Sequence, residues 1–274
     1  MKHKPPPQKK NDGDMAKKRF GQNFLHDPNV IERILRAVNP QPSDALIEIG
    51  PGLGALTIPL LAKMGKLTVI EIDRDVIPVL RERCGAQAEH LNIIEADALR
   101  LDYRTLVPAG SRLRLVGNLP YNISTPLLFH LLDQADCVRD MHFMLQKEVV
   151  DRMCAGPDDD AYGRLSVALA ARCEVSNLFH VGPGAFNPAP KVDSAVVRLV
   201  PRKADFEIVD LKLFDRVVTQ AFSQRRKTLS NALKGTADGA QMERAGISPK
   251  ARAETLHARD YARLTAVLKQ DGSV

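Results

Sequence analysis

No apolar run in this 274-residue sequence approaches the ~20 residues that a membrane-spanning helix needs, so no span is expected. The N-terminus is basic, but no apolar stretch follows it, and a secretory signal is not expected either. Cysteine is scarce. Cys84, Cys137, Cys154 and Cys173 are widely spaced and form no C-x-x-C pair. That spacing argues against a disulfide framework and a zinc site, and the expectation is reduced thiols in a cytoplasmic protein. No internal repeat is visible.

What is present is ordinary in amount: 44% hydrophobic and 26% charged residues suit a globular protein of one large or two modest domains. The charge is uneven. Residues 1–20 carry a net +5, residues 21–201 a net −4, and residues 202–274 a net +5. Two basic segments flanking an acidic middle can be plain solubilising surface. They also suit a polyanionic partner, most simply nucleic acid.

Residues 1–19 hold Pro5-Pro6-Pro7, clustered lysines and few apolar residues, and read as a basic tail that is disordered when free. The spacing of Val30, Ile31, Ile34, Leu35 and Val38 predicts a helix over about 28–38. Strands and helices then alternate. Strands are expected at Ala45–Ile49, Leu67–Ile72, Leu91–Ala96, Leu113–Val116 and Met141–Leu145. Helices are expected near 55–64, 75–84, 125–133 and from about 147. This rhythm implies an α/β fold with a doubly wound, mostly parallel sheet over 20–201. Short alternating stretches near 174–181 and 194–200 read as additional strands, and helical patterns dominate 202–274, a small helical C-terminal domain.

Asn118-Leu119-Pro120-Tyr121 follows the apolar run Leu113–Val116 and Gly117. An amide, a proline and an aromatic at the end of a strand can grip a planar base and present its exocyclic amine. Such an amine is a poor nucleophile because its lone pair is delocalised into the ring. Accepting its hydrogen bonds makes the nitrogen more tetrahedral and frees that pair. The Asn118 side-chain oxygen and the Leu119 carbonyl are the candidate acceptors, and Tyr121 is a candidate stacking surface. The same four residues also fit a plain strand-to-helix turn.

Glu48-Ile49-Gly50-Pro51-Gly52-Leu53-Gly54 lies between a strand and a helix, where glycines let the backbone approach a ligand. The turn also fits a relaxed dinucleotide fingerprint. Three acids favour S-adenosylmethionine over a nicotinamide cofactor. Glu48 suits a sulfonium or amino group better than a pyrophosphate. Glu71 ends the next strand, where it can accept both ribose hydroxyls. Asp97 ends the third, where it can accept from the adenine amine. Taken singly, each acid could instead cap a helix or stay solvated.

These stretches resemble the ribosomal RNA adenine N6-dimethyltransferase family. The resemblance extends over Phe20-Gly21-Gln22-Asn23-Phe24-Leu25, the glycine turn, Glu71-Ile72-Asp73, Glu95-Ala96-Asp97-Ala98 and Asn118 to Ser124. It continues through Phe186-Asn187-Pro188-Ala189-Pro190-Lys191-Val192-Asp193-Ser194 and Phe222-Ser223-Gln224-Arg225-Arg226-Lys227. It implies a Rossmann-like methyltransferase domain with a small helical domain. The implied activity is dimethylation of two adjacent adenosines in the 3′-terminal hairpin loop of small-subunit (16S) ribosomal RNA. The implied partner is the small ribosomal subunit, met by a monomer, with no metal and no membrane. By matching position, Asn23 and Leu25 help enclose S-adenosylmethionine, Gly50 and Gly52 lie against it, Glu71 meets the ribose, Asp97 the adenine, and Asn118 sits near the methyl donor. Phe186 flanks the target base opposite Tyr121.

On the residues alone, Phe186 can equally be a core anchor for a loop made rigid by Pro188 and Pro190. Arg225, Arg226 and Lys227 can be a solvated helix face or contacts to RNA phosphates. Three rival readings stay open: a dimethyltransferase of large-subunit RNA, an assembly or transcription factor that keeps the fold for binding, and a nicotinamide dehydrogenase.

Overall fold

The computed structural model describes residues 22–224 and 226–272. The basic tail over 1–19, Phe20, Gly21 and Arg225 therefore lie outside the described residues. By compactness the chain forms two units, one of the residues up to Lys147 with Leu178–Val196, the other Glu148–Asn177 with the residues from Val197. After the tail over 1–19 the sequence reading divides the chain once more, at 201/202, whereas these units interleave.

The first unit begins with a two-residue strand β1 (Phe24–Leu25) and helix α1 (Pro28–Val38). The Asp27 side chain accepts from the N–H groups of Asn29 and Val30, and Pro28 occupies the first turn. Val30, Ile34, Leu35 and Val38 are its buried face, each worth roughly 1.5–3 kcal/mol of burial. Asn39 ends the helix in the left-handed region at φ 45°.

Then come β2 (Ala45–Ile49), α2 (Thr57–Met64), β3 (Leu67–Glu71), α3 (Val76–Cys84), β4 (Leu91–Glu95), β5 (Leu113–Asn118), α4 (Ser124–Leu132) and β6 (Val138–Gln146). Further on are α5 (Lys147–Cys154), α6 (Arg164–Ala170), β7 (Cys173–Val181), β8 (Phe186–Asn187) and β9 (Ser194–Pro201). The main sheet has the order β4-β3-β2-β5-β6-β9-β7. The pairs β2–β3, β3–β4, β2–β5 and β5–β6 are parallel. From β2 the chain moves outward through β3 and β4, then returns to β5 on the other side of β2. That reversal opens a crevice at the carboxyl ends of β2 and β5, the place where open α/β sheets bind ligands.

At the opposite ends of these strands Arg114 binds the Asp140 carboxylate at 2.9 and 3.0 Å, Asp44 at 2.6 Å and the Val38 carbonyl at 2.7 Å. A buried guanidinium so fully paired ties β2, β5, β6 and the end of α1 together. Charged residues inside β6 mask its length in the sequence, which predicts only Met141–Leu145.

The second unit holds α6 and α5 from Glu148 on, and adds α7 (Leu211–Ser223), α8 (Leu229–Ala232), α9 (Gly239–Arg244) and α10 (Ala258–Gln270). Its core gathers Phe214, Val217 and Val218 with Leu233, Tyr261 and Leu264, and also Tyr162, Val167 and Ala171 from before β7. The sequence pattern does not predict helix α6. Its short apolar run has too few turns to show a helical period. Among the described residues no helix is long and apolar enough to cross a membrane.

Candidate active site

The crevice at the ends of β2 and β5 is a cavity of about 670 Å³. Asn23, Leu25, Glu48, Gly50, Gly52, Glu71, Asp97, Asn118, Leu119 and Tyr121 all line it. The structure thus brings together the residues nominated for the cofactor and for one side of the target base, while Phe186, Arg226 and Lys227 lie outside the lining.

The glycines shape the floor. Gly50, Gly52 and Gly54 have φ of 67°, 53° and 91°, a region that other residues rarely adopt. Gly117 matters for a different reason, which the sequence does not reveal. A Cβ there would lie 2.4 Å from the Ile49 carbonyl oxygen, so only glycine lets the ends of β2 and β5 approach. Gly50 and Asn118 face each other across that junction, a Cβ on Gly50 lying 3.9 Å from the Asn118 carbonyl oxygen.

Glu48 is 1% exposed, and its Oε2 has no hydrogen-bond partner among the described residues. Burial, with the neighbouring Glu71 carboxylate adding to it, pushes this carboxyl up to about 8. The buried Thr57 hydroxyl beside it offsets part of that rise. Such a buried acid, protonated near neutrality when it stands alone, fits a cationic ligand group, whose charge would favour its ionised form.

Glu71 is held more firmly. Its Oε1 accepts from the N–H groups of Ile72 at 2.9 Å and Asp73 at 2.8 Å, and Oε2 accepts from Gly52 N–H at 3.4 Å. Burial raises its pKa, and these N–H groups pull it back. Three bonds leave capacity on a group with about four lone-pair sites. Asp97 accepts from Leu99 N–H at 3.0 Å and lies 3.6 Å from the Arg100 guanidinium, so it caps a turn while bordering the cavity.

The Asn118 Nδ2 donates to the Asn23 carbonyl at 3.0 Å. That bond fixes the side-chain amide and leaves Oδ1 as its acceptor. The Leu119 N–H donates to the Met144 carbonyl at 3.1 Å, continuing the register of β5 on β6. Pro120 O accepts from the Ile123 N–H at 3.2 Å and the Ser124 hydroxyl at 3.0 Å, so the turn into α4 is closed as well. The half-buried Tyr121 places its hydroxyl 2.7 Å from the Ser194 Oγ. Ser194 lies within a stretch that carries the family resemblance, but nothing in the sequence shows that it meets Tyr121.

Phe186 is placed differently from its expectation. It is 3% exposed and packs with Leu25, Ile34 and Val196 in the core, and it is not among the residues lining the cavity. A stacking platform must offer a ring face, and here that face is spent on the core. The residue instead pairs β8 with β1, Phe186 opposite Leu25 and Asn187 opposite Phe24. The effect on the cavity is indirect: this pairing holds the segment whose Asn23 carbonyl orients Asn118.

Arg226 and Lys227 are exposed in the turn between α7 and α8, not on a helix face. Arg225 lies outside the described residues. Among the described residues no group of three or more His, Cys, Asp or Glu could hold a metal ion.

Residues 13–270 match the model of the family described as ribosomal RNA adenine dimethylase. The chain is 58% identical to a "Ribosomal RNA small subunit methyltransferase A" from Methylococcus capsulatus, over 93% of this chain and 98% of that protein. A protein of the same name from Marinobacter nauticus is 55% identical over 96% and 95% of the two chains. Among solved structures, a dimethyladenosine transferase from Plasmodium falciparum is similar with a TM-score of 0.74 and 28% identity, over 91% of this chain and 98% of that one. The 23S rRNA methyltransferase ErmE is similar with a TM-score of 0.68 and 26% identity, over 90% and 100%.

Proposed function

The chain belongs to the ribosomal RNA adenine dimethylase family, and from that premise we propose that it dimethylates the N6 amines of two adjacent adenosines in the 3′-terminal hairpin loop of 16S ribosomal RNA. The methyl donor is S-adenosylmethionine, and the partner is the small ribosomal subunit, met in the cytoplasm by a single copy of the chain. The relatives named for the small subunit, at 55–58% identity, support this target over the large subunit named for ErmE, at 26%.

The observation that carries the proposal is the Asn118 amide, pinned by the Asn23 carbonyl at the junction of β2 and β5. The residues around it fit the donor. Glu48 answers its positive charge, Glu71 keeps acceptor capacity for a ribose hydroxyl, and Asp97 borders the cavity where an adenine amine would donate. Gly50 and Gly52 admit close backbone approach, and Asn23 and Leu25 close the side. When bound, S-adenosylmethionine supplies a methyl group on a sulfonium, which departs as a neutral thioether.

The chain's own part is positioning. Asn118 Oδ1 and the Leu119 carbonyl accept from the target amine, which localises its lone pair, while Tyr121 stacks on the extruded base. Orientation and fixed dipoles supply the rate, and the amine's proton passes to solvent after transfer. Phe186 supports this wall from the core. Arg225, Arg226 and Lys227 contact RNA phosphates, positioning the substrate without reading its sequence.

The test is direct. Small and large subunits from cells lacking this protein are incubated with it and labelled S-adenosylmethionine, and the methylated adenosines are mapped. Dimethylation of two adjacent 16S adenosines is expected. Label confined to large subunits, or none, refutes the proposal.

A further inference from the structure

The hydroxyls of Tyr121 and Ser194 are 2.7 Å apart, although 73 residues separate them in sequence. Ser194 is fully buried at the first position of β9, while Tyr121 is half-buried on the cavity wall. Burial raises the phenol above its ordinary pKa, so near neutrality it is an uncharged hydrogen-bonding group and not a base. A tyrosine ring swings about two side-chain torsions. A bond at its far end removes that swing and sets the plane against which a base can stack.

We propose that Ser194 is a positioning residue for Tyr121, and that this tether matters most for the second methyl transfer to each adenine. The inference rests on the dimethylation reading above. An unmodified adenine amine has two N–H bonds, one for Asn118 Oδ1 and one for the Leu119 carbonyl. After one transfer a single N–H remains, and one acceptor has lost its partner. Orientation of the base then falls more heavily on the stacked ring. A wall free to drift costs the first transfer little and the second transfer more. Each transfer forms an N–C bond as a C–S bond breaks. The sulfur keeps the bonding pair, and the proton leaves the nitrogen for solvent.

Ser194→Ala, Tyr121→Phe and the double variant test this on small subunits lacking the modification. Single-turnover time courses would resolve monomethyladenosine from dimethyladenosine by mass spectrometry of digested RNA. Each single variant should slow the second transfer about tenfold, the size of one lost hydrogen bond, and leave the first much less affected. Monomethyladenosine should accumulate. The double variant should be no slower than either single, because both remove the same bond. Retained cofactor affinity, measured by calorimetry, would show that the fold survives. Equal slowing of both transfers, multiplied effects in the double variant, or a wild-type product ratio in the single variants would each overturn the tether. Should Ser194→Ala fail to fold, Tyr121→Phe removes the bond from the cavity side and its product ratio decides. A wild-type protein that itself stops at monomethyladenosine overturns the dimethylation reading and this proposal with it. A wild type that dimethylates beside variants with its product ratio overturns the tether alone.

Discussion

The rim of the cavity and the basic turn after α7 are built in contrasting ways. At the rim, polar groups are committed to partners: Asn118 to the Asn23 carbonyl, Glu71 to three backbone N–H groups, Tyr121 to Ser194. The backbone beneath them has little freedom, since Gly50, Gly52 and Gly54 occupy positive φ and Gly117 abuts a carbonyl. At the turn, Arg226 and Lys227 stand exposed, and the bond that closes it runs from the Lys227 N–H to the Gln224 carbonyl. The contrast suits the tasks proposed for them. Holding an amine in line with a methyl group tolerates little misplacement. Attracting phosphates needs only charge and reach.

The largest expected effect tests the rim at its centre. Asn118→Ala should still bind S-adenosylmethionine, yet single-turnover transfer to small-subunit RNA should fall about 10²–10³-fold, as for loss of one preorganised polar contact. An unchanged rate would remove Asn118 from the mechanism. Next comes the backbone itself. Gly117→Ala forces a Cβ against the Ile49 carbonyl and should destabilise the protein by about 3 kcal/mol or more in denaturant unfolding. A neutral result would mean the junction of β2 and β5 is pliant, and the contrast with the basic turn would weaken.

Glu48, on the floor beneath the rim, offers a pH test. Its carboxyl in the folded protein titrates near 8, against 4.5 ordinarily, so between those values the folded state holds a proton that the unfolded state has released. Its contribution to stability is therefore full below about pH 4.5 and is lost as pH rises through 8. Without cofactor, unfolding free energy should decline across that window with a slope of at most about 1.4 kcal/mol per pH unit from this group. Glu48→Gln should flatten the decline, and an identical pH profile in that variant would show that Glu48 is not the source.

The smallest effect is expected at the turn. Ala at Arg226 and Lys227 should weaken RNA binding severalfold. The logarithmic salt dependence should fall by about one per lost phosphate contact, with cofactor affinity untouched. A loss as deep as that of Asn118→Ala would mean that the turn, too, orients substrate.

Much of the fold was legible because its signals are local. The helix over 28–38, the strand at Ala45–Ile49 and the strands ending at Glu71 and Glu95 follow from side-chain periodicity and the glycines that punctuate it. β1 and β8 were not legible, since two-residue strands have no period to detect. The single domain boundary read at 201/202 missed the interleaving because Tyr162, Val167 and Ala171 join a core whose other members lie more than forty residues further on.

The site divides the same way. Residues before and after strand ends declare the site through type and spacing, so Gly50, Glu71, Asp97, Asn118 and Tyr121 could be nominated together and fall around one cavity. Phe186 shows the limit: an aromatic before two prolines reads equally as platform or core anchor, and only its neighbours place it in the core. By itself the sequence determined the alternation of strands and helices, the glycine turn and the acids at strand ends, because these follow from backbone preferences within a few residues. The tertiary structure alone decided that Gly117 meets Ile49, that Asn23 orients Asn118 across 95 residues and that Ser194 holds Tyr121 across 73. Contacts that distant leave no periodic trace, and they exist only once the sheet has brought its strands into register.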